Sequence, residues 1–381
     1  LVPGASRTTN QLGLPKILAE ETKRGEQLEA LKTRKNLDPY FAMVIVALSY
    51  LLISYIWNNY GKPYPGFQEK YYRKLPADYP PAELAILYRQ NIESRDLTAT
   101  LLDLARRGFL KIEEAPNLQG KPKKEQFTYK FVRKEPDPEN QATLRLYEQQ
   151  VLDLLFTVIG AEEVTLEDIQ TFAKDYRKEF TAFWDEWAKT IKAEAEQHNF
   201  FDANSKKRVL WFFIPSFALF LLAIVPFVLE MFFSGTACIV MGVVMTITVA
   251  IAATRRSSTG NLEYTQWRAF RRYLQHFSRV EDTRTVSPGI WESYLPYAVT
   301  LGVANKVIKE WSFAFPSLAE QGNLGTNWYI CIHGGGFNRL SHMTTNIDRS
   351  ISTTMIHSGA SGGGFSGGGG GGFGGGGGGA R

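Results

Sequence analysis

Three long apolar runs constrain this chain more than any other feature of its 381 residues. The first, Phe41 to Trp57, reads FAMVIVALSYLLISYIW and carries no charge. At 1.5 Å per residue such a helix covers about 25 Å, close to the hydrocarbon thickness of a bilayer. Tyr40, Tyr55 and Trp57 stand where interfacial aromatics belong. The second run is Val209 to Phe233 and the third Thr236 to Thr254, separated by Ser234 and Gly235. Their pattern predicts a helical hairpin, with Pro215 and Pro226 as tolerated kinks. Glu230 is the only charge in the pair, and its place near the turn predicts an interfacial carboxylate rather than a proton relay.

Basic residues set the expected orientation. Lys206, Lys207 and Arg208 precede the second run, Arg255 and Arg256 follow the third, and the turn has neither Lys nor Arg. The positive-inside rule puts both flanks in the cytoplasm. The expected order is an N-terminal segment 1–40 outside, a span at 41–57, and a cytoplasmic block at 58–208. Spans at 209–233 and 236–254 follow, then a cytoplasmic amphipathic helical region at 255–357 and a disordered tail at 358–381.

Within 58–208, Pro81-Ala82-Glu83 opens one helix, with Glu83 favoured by the helix dipole. Ser94 or Asp96 is expected to cap a second, which ends at Arg106-Arg107-Gly108. Strands follow at 109–114 and 127–134. Helix, helix and hairpin outline a winged helix. Residues 106–134 hold nine Lys or Arg against three Glu, which keeps DNA binding as the alternative function. Helices are expected at 143–158 and, unbroken, at 168–200, where Phe172, Tyr176, Phe180, Phe183, Trp184 and Trp187 recur at helical spacing as a packed face. Trp267, Phe270, Tyr273, Leu274 and Phe277 give 261–280 an apolar side suited equally to a lipid surface or to the block. A helical pair at 290–311 is expected to break at Pro296.

No chemistry-bearing constellation emerges. Cys238 and Cys331 do not suggest a disulfide, and five scattered His form no metal motif. His333-Gly334-Gly335-Gly336 and the GxSxG patterns around Ser361 and Ser366 mimic hydrolase elements, but a nucleophile elbow needs a strand before the Ser and a helix after it. The tail from Ser358 holds 16 Gly and matches by composition. No catalytic, cofactor-binding or metal residues are assigned, no cofactor is expected, and no small-molecule substrate is evident. The expected partners are the lipid bilayer and proteins at the cytoplasmic face.

Four segments carry a resemblance: YPPAELAILY near Tyr79, DLTATLLDLARRGFLKIEE from Asp96, the pair WRAFRRYLQHFS and WESYLPYAVTLGV, and GGGFSGGGGGGFGGGGGG in the tail. Together, over residues 42–381, the chain resembles the YciQ-like bacterial predicted membrane proteins, domain-of-unknown-function family 2207. The resemblance implies a multi-pass protein of the bacterial inner (plasma) membrane with a cytoplasmic C-terminus. It also implies a signal peptide and an extracytoplasmic β-rich domain before the first span. Residues 1–40 do not look like that domain, and a chain lacking it is expected. The expected fold is thus a mainly α membrane protein: three transmembrane helices, a cytoplasmic α+β winged-helix-like block and a disordered Gly-rich tail. The expected function is a membrane-anchored scaffold or interaction protein, not an enzyme.

Overall fold

The computed structural model describes residues 13–116, 127–134, 144–280, 290–316, 328–330 and 336–358. They fall into two compact units. Unit 1 takes residues 1–64 and 201–257, and unit 2 takes 65–200 and 258–381.

Unit 1 holds three helices long and apolar enough to cross a membrane, within Lys16–Gly61, Ser205–Val228 and Phe232–Ala253. Helix α1, Gly13–Ile56, is one continuous 44-residue helix that ends in a π turn at Trp57–Gly61. The expected first span is thus its second half, and its charged first half is exposed from Lys16 onward. The second span combines α7 (Ala203–Leu210), α8 (Phe213–Leu222) and α9 (Ile224–Val228), and the third is α10 (Phe232–Ala253). The turn between them differs from the expectation. It lies at Leu229–Met231, with Glu230 left-handed at φ 59°, not at Ser234-Gly235. Ser234 and Gly235 belong to the first turn of α10, where small residues serve packing. A Cβ on Gly235 would lie 2.8 Å from the Phe227 ring, and one on Gly242 would lie 3.1 Å from Phe220. Ser216 adds an interhelical bond, donating to the Gly242 carbonyl at 3.1 Å.

The start of α10 is capped from a distance in sequence. Asp38 of α1 is buried and accepts from the backbone N–H groups of Phe233 and Ser234, both at 2.8 Å, and from the Ser234 hydroxyl. At the other end, Ile56 packs with Val209, Met245, Val249 and Ala252. α1 therefore lies along α10 from its capped start to its last turns.

Unit 2 begins with α2 (Pro81–Arg89) and α3 (Ser94–Arg106). Glu93, not Ser94 or Asp96, is the cap of α3. Asp96 closes the capping box from three residues on, while the Ser94 hydroxyl bonds Asp348. Gly108, at φ 87°, ends α3 in a Schellman turn, with the Phe109 N–H on the Leu104 carbonyl. Strands β1 (Leu110–Pro116) and β2 (Phe127–Arg133) pair antiparallel as expected. The sheet is larger than a two-stranded wing: β3 (Glu163–Thr165) adds to β2 and β4 (Tyr329–Ile330) adds parallel to β1, in the order β3-β2-β1-β4. The basic stretch between β1 and β2 lies outside the described residues, as do 359–381 of the tail.

Between β2 and β3 lies α4 (Leu146–Asp153), prolonged by a π turn at Leu154–Ile159. The long helix expected over 168–200 is two: α5 (Leu166–Asp175), capped by Thr165, and α6 (Arg177–Glu196). Tyr176 leaves the helical region at φ −117° and ψ 56° and stacks on Phe172, which breaks the rod there. Of the six aromatics expected on a packed face, Phe180, Trp184 and Trp187 are buried, Phe172 and Phe183 are half-buried, and Tyr176 is exposed. The chain resumes with α11 (Ser258–Gln275), α12 (Phe277–Val280), α13 (Ile290–Thr300), α14 (Ala304–Ala314) and α15 (Gly336–Ser358). Trp267, Phe270, Tyr273, Leu274 and Phe277 are all buried inside unit 2, which decides between the lipid and packing readings of that helix. Pro296 stays within α13. The break falls at Gly302, whose φ of 68° completes a second Schellman turn, with the Val303 N–H on the Ala298 carbonyl. Helix α15 was not foreseen as a helix of its own, and it packs on α3, α5, α6 and α14.

Arg89 ties α2 to this frame. It grips the fully buried Asp96 carboxylate at 2.5 and 2.6 Å and donates to the Thr300 carbonyl at the end of α13.

Two outcomes are expected. Asp38→Ala should lower stability by about 1–2 kcal/mol, the usual cost of a lost N-cap, read as a lower unfolding midpoint in detergent. Burial pushes the Asp96 carboxyl up to about 6 despite Arg89, from an ordinary 3.8. The unfolded chain thus ionises first as pH rises, so this contribution is complete below about pH 4 and is lost as pH passes 6. Denaturation at pH 4 and pH 7 should show wild-type stability falling over that window by on the order of 2 kcal/mol more than in Asp96→Asn.

Candidate functional site

Glu83 stands at the third position of α2, where the helix N-terminus favours negative charge. Its side chain is fully buried, and a buried carboxylate needs partners. Three distant segments supply them. The Tyr147 hydroxyl of α4 donates to Oε1 at 3.0 Å, His198 after α6 brings Nε2 to 2.5 Å from Oε2, and the Arg145 guanidinium lies 3.8 Å from Oε1. Trp187 of α6 donates its indole N–H to the Tyr147 carbonyl at 3.1 Å, which fixes that tyrosine in turn.

Arg145 is 43% exposed, and His198 is also partly open, with its side chain 30% exposed. Its ring stacks on Phe200 with centroids 5.0 Å apart and tilts against Tyr79 at 5.1 Å. The Tyr79 hydroxyl accepts from the Trp267 indole N–H at 2.6 Å, and the Tyr297 hydroxyl donates to the Tyr79 carbonyl at 3.1 Å. Glu263 of α11 completes the group. Burial holds its carboxyl above the ordinary range, and nearby His198 and Tyr79 pull it down only in part. Burial, and then Glu263, push the Tyr79 phenol up, so it stays protonated. Beside the group, Arg145 also pairs with Glu194 at 3.5 Å and borders a cavity of about 590 Å³ with Leu144, Leu146, Glu194 and Gln197.

Chemically, the arrangement can share a hydrogen bond between Glu83 and His198, with the Tyr147 hydroxyl as a second donor to Glu83. Among the described residues no group of three or more His, Cys, Asp or Glu could hold a metal ion. The residues singled out from the sequence lie elsewhere. Glu230 sits in the span turn, 3.7 Å from Lys35. His333, Ser361 and Ser366 fall outside the described residues. Glu83 was legible as a helix-start carboxylate but not as the centre of a network, because its partners lie 64 and 115 positions away.

Helix α3, the expected reader of DNA in a winged helix, is enclosed. Asp96 to Ala105 are all buried, with α2, α13, α15 and β1 against them. A recognition helix needs a free face to enter the major groove, and this one has none.

Glu83→Ala should cost about 1–3 kcal/mol, since it leaves the buried Tyr147 hydroxyl without its acceptor, whereas Glu83→Gln, which can still accept from Tyr147, should cost less. Chemical denaturation of the two variants checks the order.

Comparison with curated proteins and with solved structures finds no match. A family model does match: the one described as predicted membrane protein (DUF2207) C-terminal domain, over residues 68–310. That stretch takes in Tyr79, Glu83, Tyr147, His198 and Glu263 together with both spans of the hairpin. With more than half of its length covered, the chain belongs to this predicted membrane protein family.

Proposed function

We propose that the chain is a membrane-anchored interaction protein of the bacterial inner membrane, with unit 2 and the C-terminus in the cytoplasm, and that it is not an enzyme. The observation that carries this reading is what the spans bury. Within the apolar stretches 41–57, 205–228 and 232–253, the described buried side chains are small or apolar, such as Ile56, Val209, Cys238, Met245 and Val249. The polar exceptions, Ser49, Ser205, Ser216 and Ser234, are all hydroxyls. A route for ions or polar solutes would need charged or strongly polar groups facing the interior of the bundle. Helices built this way serve as anchors, and the work falls to unit 2.

The basic flanks support the cytoplasmic placement. Lys206, Lys207 and Arg208 lie at one end of the second span, Arg255 and Arg256 follow the third, and Leu229–Met231 carries no base. The Glu83 network is read as a structural tie that joins α2, α4 and the segment after α6. The enclosed α3 turns the reading toward protein rather than nucleic-acid partners.

Photo-crosslinking in living cells tests this. A benzophenone amino acid at exposed unit 2 positions Val158, Tyr176 and Phe313 is expected to give discrete protein adducts from one or more sites, while the same probe at span position Phe217 gives none. Absence of any protein adduct from all three unit 2 sites overturns the reading.

A further inference from the structure

Helix α7 and the start of α8 present an unusual stripe. Lys207 lies one turn before Leu210 and Trp211, which lie one turn before Ile214, so the four share a helix face. All four are exposed, and Trp211 is 72% exposed. Farther along the span the exposed face continues through Phe217 and Leu221. Lys206 and Arg208 flank Lys207 and are exposed as well. Ser205 and Val209 turn inward, and α7 packs on α10 with that side.

The three cations are not spent within unit 1. No acidic residue occurs from Ala203 to Leu229. The acid just ahead of them, Asp202, is engaged: it caps α7 through the Ser205 N–H at 2.9 Å and pairs with Arg255 at 2.7 Å. Among the described residues no ion pair reaches Lys206, Lys207 or Arg208.

Cations, then an indole, then bare aliphatic and aromatic surface is the order of a diacyl phospholipid read from phosphate through glycerol to acyl chain. We propose that α7 and the beginning of α8 form a binding site for an anionic phospholipid. Lys206, Lys207 and Arg208 hold the headgroup phosphate, Trp211 lies at the glycerol level, and Ile214 and Phe217 line one acyl chain. A zwitterionic lipid satisfies the apolar part but offers no net charge to three cations.

The test uses the full chain purified in zwitterionic detergent, with dioleoyl phosphatidylglycerol or dioleoyl phosphatidylcholine titrated in and the unfolding midpoint followed by intrinsic fluorescence. Phosphatidylglycerol is expected to raise the midpoint and phosphatidylcholine to leave it unchanged. The rise should shrink by more than half at about 0.5 M salt, where screening is strong. The triple variant Lys206→Gln, Lys207→Gln, Arg208→Gln should lose the response. An equal rise with both lipids, or a full response in the triple variant, overturns the proposal. So does reproduction of the rise by inorganic phosphate, which marks a simple anion site. Should the triple variant fail to fold, native mass spectrometry of the unsubstituted chain decides: salt-sensitive retention of phosphatidylglycerol over phosphatidylcholine supports the site, and equal retention overturns it.

Discussion

The indole N–H of Trp267 bonded to the Tyr79 hydroxyl joins residues 188 positions apart, and between them the chain leaves unit 2, runs through the membrane hairpin and returns. The packing around Tyr79 and the anchoring of Arg89 depend on that return. α11 and α13 supply Trp267 and Tyr297 to the aromatic group around Tyr79, and α13 offers the carbonyl that Arg89 takes. Closing so long an insertion as a free loop would be entropically costly, although the cost grows slowly with length. Unit 1 relieves it. The insertion begins and ends in one bridge, Phe201 paired antiparallel with Arg256, reinforced by the Asp202 N–H on the Arg255 carbonyl and by the Asp202–Arg255 ion pair. Within unit 1 the two ends of the hairpin are thus held side by side.

Lipid explains why the hairpin can do this. In hydrocarbon a helix must satisfy its own backbone, and two helices approach closely only where side chains are small. Gly235 and Gly242 provide that approach, Ser216 adds an interhelical bond, and Asp38 satisfies the first N–H groups of α10. The first span is therefore fastened to the third at both ends, by a cap at one and by the packing of Ile56 at the other.

What the sequence revealed follows from which forces act locally. The three apolar runs were legible because lipid contact demands apolar residues on nearly every face. The C-terminal end of α3 was legible because Gly108 and the cations before it act within one turn, whereas its cap was placed one to three residues late. The hairpin turn was misplaced because Ser234-Gly235 looks like a turn, yet Gly235 is small in order to meet Phe227. The break at Tyr176 escaped notice because a tyrosine at helical spacing gives no breaker signal. Pro296 drew attention from Gly302, where the positive φ ends the helix. Helix α15 falls in the amphipathic helical region expected over 255–357, but no turn or cap signal marked it out as a helix of its own. The Glu83 network could not be read at all: a lone His in a Lys- and Glu-rich stretch carries no sign of a carboxylate 115 residues away.

The proposed topology takes the chain across the bilayer three times, with the hairpin turn on the side opposite both of its basic flanks. Thiol accessibility tests it most directly. In a background without Cys238 and Cys331, single cysteines at Glu230 and at Lys207 are probed with a membrane-impermeant maleimide, before and after the inner membrane is opened. This topology gives labelling at position 230 in intact spheroplasts and at 207 only after opening. Labelling of both in intact spheroplasts, or of 207 alone, would contradict it.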